Sequence, residues 1–255
     1  MPRIYKNSSR TPRIEFFKAI VSFVKFRISA RRKNEAGRVK HALALLEHLN
    51  GDYPVRSLMR LKATNFSAVA LHEKHSLPTL LSKTKKLKSL PKNSLGRLYY
   101  DLNEGKEDYF KTLSSNMPTD KYTDEYALFL RRNLDVHDMV HIVMGFDRDL
   151  FSEGNVLVAL SCGGSSPYWK WCFIYPGLLT RFFDGVFGGR WKFFVLACKI
   201  LLRETPGRCT SVDNWDLIHW ESMLEMNIHE VRKQLGVSDP VLYKPNLILL
   251  SEERT

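Results

Sequence analysis

Apolar residues recur at three- and four-residue intervals along most of this chain, and no alternating strand pattern interrupts them. The spacing predicts a mainly α fold: a single helical-bundle-like domain with a basic amphipathic N-terminal extension. In residues 14–33, Ile14, Phe17, Val21, Val24 and Ile28 fall at helical intervals, with Lys18, Lys25 and Arg32 outside that set. Residues 36–50 read as a short helix stopped by Asn50-Gly51, and 53–82 as periodic helix with breaks at Pro54 and Pro78. Ser94 is placed to cap a helix whose Gly96 would admit a neighbouring helix. Asp124 to Val143 reads as one long helix, and Gly145–Asp149 as its end and a turn. Residues 154–164 either finish a helix or form a short strand. Tyr168 to Leu202 is the most hydrophobic and aromatic stretch, read as two helices around Gly188-Gly189. A last helix spans Asn214 to Leu235 with Gly236 as its stop, and from Pro240 the chain reads as an extended strap.

Charge divides the chain more sharply than hydropathy does. The net charge is +12, yet residues 1–100 carry 22 Lys+Arg against 5 Asp+Glu, so the remainder is net acidic. Lysines at 83, 85, 86 and 88, just before Pro91, mark the boundary: 1–85 as the basic extension and 86–255 as the core domain. We read that lysine group as a solvated cluster rather than a nuclear signal. A basic front implies an acidic partner. The pattern at 14–33 is too interrupted by charge to span a bilayer but suits a helix lying on an anionic membrane surface. A mitochondrial transit sequence and an ordinary packed helix are the alternatives. Nucleic acid is not the expected partner, because no recognition module accompanies the charge. Cys162, Cys172, Cys198 and Cys209 form no C-x-x-C pair, which speaks against a zinc ribbon and for reduced, mostly buried thiols. No G-x-G-x-x-G, P-loop or G-x-S-x-G occurs, which argues against nucleotide cofactors and serine hydrolysis.

The chemistry concentrates in residues 137–153, HDMVHIVMGFDRDLFSE. His137 and His141 stand four apart, so a helix sends both imidazoles from one face. Asp138 adjoins the first, and Glu153 follows His141 after eleven intervening residues. A turn over Gly145–Asp149 would bring Glu153 back over the histidines. Two imidazole nitrogens and one or two carboxylates suit a divalent metal: zinc first, with iron, manganese and magnesium as alternatives. A lone histidine pair at this spacing is usually a coincidence; the two nearby carboxylates raise its standing. His219 is read as an ordinary helix residue rather than a further ligand.

These residues, H-D-x-x-H-(x)11-E, resemble the signature of the ubiquinone (coenzyme Q) biosynthesis protein Coq-four family. Leu90-Pro91-Lys92-Asn93-Ser94-Leu95-Gly96, Arg131-Arg132, Trp220-Glu221 and Val231 through Val237 extend the likeness over roughly residues 90–240. Ser152 stands where family members often have glycine, and the first 85 residues carry no recognisable match. The resemblance implies a membrane-peripheral protein, on the cytoplasmic face of a bacterial inner membrane or the matrix face of the mitochondrial one. It implies a polyprenylated quinone precursor as substrate and other ubiquinone biosynthesis proteins as partners, with a homodimer left open. The activity implied is metal-dependent decarboxylation, a lyase reaction on 4-hydroxy-polyprenylbenzoate-type precursors. The resemblance also implies hydroxylation at ring carbon one, the carbon that loses the carboxylate, and a role as organiser of a biosynthetic complex. Metal ligands would be His137, Asp138, His141 and Glu153, with Asp138 also the candidate proton carrier or the group orienting an imidazole. The aromatic stretch 168–202 would then be either core or a groove for the polyprenyl tail. A non-catalytic scaffold with a structural metal is the main alternative. Hydrolysis fits poorly, since neither the additional ligands of HD phosphohydrolases nor the glutamate base of zincins is in place.

Overall fold

The computed structural model describes residues 53–104, 123–147, 150–162 and 198–240, with residues 18, 21, 22, 24, 25, 28, 41, 44 and 195 individually. The expectations for 36–50, the aromatic stretch 168–194 and the tail beyond Pro240 therefore fall almost wholly outside the described residues. Among those described, every named element is helical, as the periodicity requires. The chain forms two compact units, Met1–Thr84 with Tyr100–Asp135, and Lys85–Tyr99 with Val136–Thr255.

In the first unit, α1 (Tyr53–Lys62) buries Leu58 and Leu61. α2 (Ser67–Ala70) and α3 (Leu77–Leu81) follow, adding Ala70, Leu77 and Leu81 to the buried set. Pro54 and Pro78 lie in the first turns of α1 and α3. They start these helices instead of breaking one, because a first-turn residue needs no N–H partner within the helix. Lys62 pairs with Glu125, and Tyr126 and Phe129 are buried with ring centroids 6.3 Å apart.

The lysine cluster forms α4 (Thr84–Ser89), whose lysines are exposed while Leu87 is buried. α5 (Leu95–Asn103) is capped as expected: the Arg97 amide donates to Ser94 Oγ at 3.3 Å. Gly96 does permit a close approach, but by a turn and not by a helix. Its amide donates to the Leu224 carbonyl at 2.8 Å, and a Cβ there would lie 2.9 Å from that oxygen. Short backbone bonds from Leu95 to Met226 and from Ile228 to Asn93 complete this junction in the second unit.

α6 (Asp124–Met144) is the long helix. Asp124 and Glu125 in its first turn complement the helix dipole. Its second half buries Val136, Met139, Val140, Ile142, Val143 and Met144. Gly145 ends it at φ 70, with Gly145 N donating to Ile142 O and Phe146 N to His141 O. Those two bonds are the Schellman pattern, and the buried Phe146 supplies its apolar contact. α7 (Leu150–Cys162) begins after the turn, so residues 154–162 continue a helix and do not form a strand. Its Asn155 accepts a hydrogen bond from Thr205 at 2.8 Å, both side chains being buried. Thr205 opens α8 (Thr205–Arg208), which continues from a π-turn over Ile200–Glu204. Pro206 there lacks the N–H that an unbroken α-helix would use.

The expected helix from Asn214 to Leu235 is not continuous. Two 3-10 turns, Trp215–Leu217 and Trp220–Ser222, precede α9 (Ile228–Leu235). Asn214 and Asn227 each accept a backbone N–H two residues on, which starts a new element at each. Between them, Trp215 and Trp220 are fully buried and stack with rings 6.2 Å apart. Their indole N–H groups reach the carbonyls of Ala159 and Trp215. Gly236 stops α9 in the left-handed region, as read from the sequence. Cys209 is buried, and Cys162 and Cys198 are partly so; none is bridged, and Cys172 lies outside the described residues.

Candidate metal centre

The α6–α7 turn returns the chain so that Glu153, in the first turn of α7, meets both histidines of α6. Glu153 Oε2 lies 3.3 Å from His137 Nε2 and 3.5 Å from His141 Nε2. The imidazoles meet edge to face with centroids 4.8 Å apart. His141 is 1 % exposed, whereas His137 and Glu153 are 26 % and 35 % exposed as side chains, so the cluster opens on one side. Among the described residues this is the one group of three or more His, Cys, Asp or Glu close enough to share an ion. His219 takes no part in it.

Asp138 is buried but stands apart from this convergence. Its Oδ1 is 3.5 Å from His137 Nδ1, the ring nitrogen other than the one facing Glu153. A carboxylate on Nδ1 holds the ring's orientation and leaves Nε2 available toward the cluster. Ser152 is buried at 1 % exposure beside Glu153.

Electrostatics tie the three residues together. Burial disfavours an imidazolium at His137, but the Asp138 and Glu153 carboxylates outweigh it and raise its pKa to about 9. Burial likewise opposes ionisation of Glu153, yet the neighbouring His137 and His141 imidazoles hold it well below the usual carboxylate range. His141 differs: both of its buried ring nitrogens lack a hydrogen-bond partner. An unanswered buried polar atom costs about 1–3 kcal/mol.

The donor set fits a divalent cation. Bonds of about 2.0–2.1 Å in a tetrahedral site put neighbouring ligand atoms ~3.3 Å apart. Two separations here already have that size, and all three atoms lie within 4.8 Å of one another. A cation there would also satisfy His141 Nε2, which nothing else does.

The matching family model covers residues 18–159, more than half of the chain, and is described as coenzyme Q (ubiquinone) biosynthesis protein Coq4. The chain belongs to that family. The match takes in His137, Asp138, His141 and Glu153 together. It begins far upstream of residue 86, in sequence that carries no recognisable motif, and it ends before Trp220-Glu221 and the run around Arg232. A crystal structure from Nostoc punctiforme, of a protein provisionally named for ubiquinone biosynthesis, shares the fold. It is 16 % identical, with a TM-score of 0.56 over 87 % of this chain and 98 % of that one. No curated protein matches the Coq4-family chain by sequence.

Sequence reasoning passed over Arg208 and gave no role to Arg232, which it met only within the run Val231 through Val237. Both are buried, and both donate to the carbonyls that end α6. A signal for the second was present: Arg232 occupies the third place of an otherwise apolar stripe, Ile228, Val231, Arg232 and Leu235, where a surface arginine would not sit.

Proposed function

We propose that this Coq4-family protein acts within ubiquinone biosynthesis as a metal-dependent lyase, removing the ring carboxylate of a polyprenylated 4-hydroxybenzoate-type precursor. The observation that carries the reading is the convergence of His137 Nε2, His141 Nε2 and Glu153 Oε2, with His141 otherwise unsatisfied. A divalent ion, zinc by the donor set, would supply a positive centre for the substrate's carboxylate or phenolate and for the charge left on the ring as carbon dioxide departs and a proton takes the carboxylate's place on the ring carbon. The chain's own residues do the rest. His141 is the deep, fixed ligand, and Glu153 borders the open side, where a substrate enters. Asp138 orients the His137 ring and is placed to take up or return a proton at Nδ1.

Peripheral attachment to an anionic membrane belongs to the same reading, with residues 1–85 as the attaching extension. Val21, Val24 and Ile28 are helical and 44–51 % exposed, flanked by the exposed Lys18 and Lys25. Apolar side chains toward the acyl boundary and lysines toward headgroups are what such a surface selects. No described helix is long and apolar enough to cross a membrane.

A scaffold that presents lipid intermediates and gathers partner enzymes is the second reading. It is favoured by one feature: a protonated His137 already bridges α6 to Glu153 without any metal. Metal content and ubiquinone yield, measured together in His137→Ala, His141→Ala, Glu153→Ala and Asp138→Asn, test the proposal. The first three should lose both metal and product. Asp138→Asn should keep the metal while yield falls. An enzyme stalls in His141→Ala and accumulates the ring-carboxylated precursor; partial flux with partner binding intact would establish the scaffold instead.

A further inference from the structure

The last four carbonyls of an α-helix have no partner inside it, and at a surface water takes them. At the end of α6 they are all taken by protein. Phe146 N donates to His141 O, and Gly145 N to Ile142 O. Arg232 adds Nη2 to Ile142 O at 3.1 Å and Nε to Val143 O at 2.8 Å. Arg208 Nη1 reaches Met144 O at 2.8 Å. Arg208 and Arg232 are 6 % and 9 % exposed, so two buried cationic residues serve the negative end of one helix. Burying a guanidinium is costly unless its donors are matched, and ordinary capping does not require it. Burial indeed presses the Arg232 pKa downward, with Asp239 opposing at 3.6 Å.

Both arginines also tie down the chain that follows α9. Arg208 donates twice to Ser238 O, at 2.7 and 3.3 Å. Pro240 then lies so close to Gly145 that a Cβ there would come within 2.7 Å of its ring. The turn leading from His141 to Glu153 is therefore held from outside, by residues some 60 to 90 positions further along the chain.

We propose that Arg208 and Arg232 are positioning residues for the three-residue site: they seat the last turn of α6 and so fix the His141 imidazole against Glu153. His141 immediately precedes the clamped carbonyls, and its own carbonyl is bonded across the turn, so a shift of that turn carries the ring with it. The inference rests on the metal reading for its consequence, a tighter ion site, but not for the clamp itself.

The full chain would be titrated with cobalt(II), following the visible band that reports its coordination, alongside hydrogen exchange at the Phe146 amide. Arg232→Met should weaken cobalt binding about tenfold to hundredfold, alter the band and speed that exchange. Arg232→Lys keeps the charge but lacks the planar fork that presents Nε and Nη2 to two separate carbonyls; it should fall between, and it stands in if the methionine variant does not fold. Leu95→Ala, a core change elsewhere in the same unit, supplies a comparable loss of melting temperature. It should leave the band and the exchange as in wild type. Equal weakening in Leu95→Ala, or a cobalt affinity within twofold of wild type in Arg232→Met, overturns the proposal. If wild type takes up no cobalt, the metal reading fails, and the exchange decides the clamp alone: unchanged protection in Arg232→Met removes it.

Discussion

Two buried polar clusters occupy adjacent positions at the end of α6, and they are finished to different degrees. At Ile142, Val143 and Met144, each backbone carbonyl has a guanidinium donor. One residue earlier, both ring nitrogens of the equally buried His141 have no hydrogen bond. Polar groups buried for structure are normally satisfied, so the first cluster reads as architecture. The second reads as a place that completes itself by binding something.

Stability measurements on the metal-free protein should separate the two clusters, and the largest effect belongs to the finished one. Arg232→Met removes two charge-assisted hydrogen bonds and leaves the Val143 carbonyl without its donor, at about 3–5 kcal/mol. Chemical denaturation would read this as a fall in midpoint. A loss below about 1 kcal/mol would mean that water replaces the guanidinium freely, and the contrast would dissolve.

Metal addition should act only on the unfinished cluster. An ion at one hundred times its dissociation constant raises the stability of wild type by about 2.7 kcal/mol. His141→Leu should show no such rise. Without metal, that substitution should be neutral or stabilising by about 1 kcal/mol, because it removes unsatisfied polar atoms from a buried position. Finding His141→Leu as damaging as Arg232→Met would make His141 an ordinary structural residue. Thermal unfolding of both proteins, with and without zinc, provides the measurement.

The unfinished cluster was legible in the sequence and the finished one was not, for a physical reason. His137 and His141 announce themselves through the helical period, and Gly145 marks the turn that returns Glu153. Both signals are local. The arginine clamp joins positions 60 to 90 apart, and no periodicity encodes which distant cation will cover a helix end. Locality also explains the broken C-terminal helix. Its apolar spacing was compatible with one long element, but Asn214 and Asn227 cap new ones, and the buried Trp220 indole takes the Trp215 carbonyl, which a continuous helix would have kept to itself. Asp138 lies between these cases: its place in the motif was legible, but not that it would face the far nitrogen of His137.

The smallest expected effect is the pH response of the bridge between the histidines and Glu153. His137 is raised from 6.5 to about 9, so its stabilising contribution is full below about 6.5 and is lost as pH rises through 9. Glu153 is lowered from 4.5, so its contribution is present above that value and is lost on acidification. The metal-free protein should therefore be steadiest between about pH 4.5 and 6.5 with respect to this bridge. Both groups are partly exposed, so the amplitude should not exceed about 1 kcal/mol. His137→Gln should flatten the alkaline slope. Metal turns the dependence around, because an ion on Nε2 must displace the proton that His137 holds below about 9. Zinc affinity should rise roughly tenfold per pH unit from 6 to 8, one proton being released per ion bound. Calorimetry in buffers of different ionisation enthalpy counts that proton directly. An affinity independent of pH, with no proton released, would mean that His137 does not give up its bridge to Glu153 for the ion, leaving His141 and Glu153 too few to hold one.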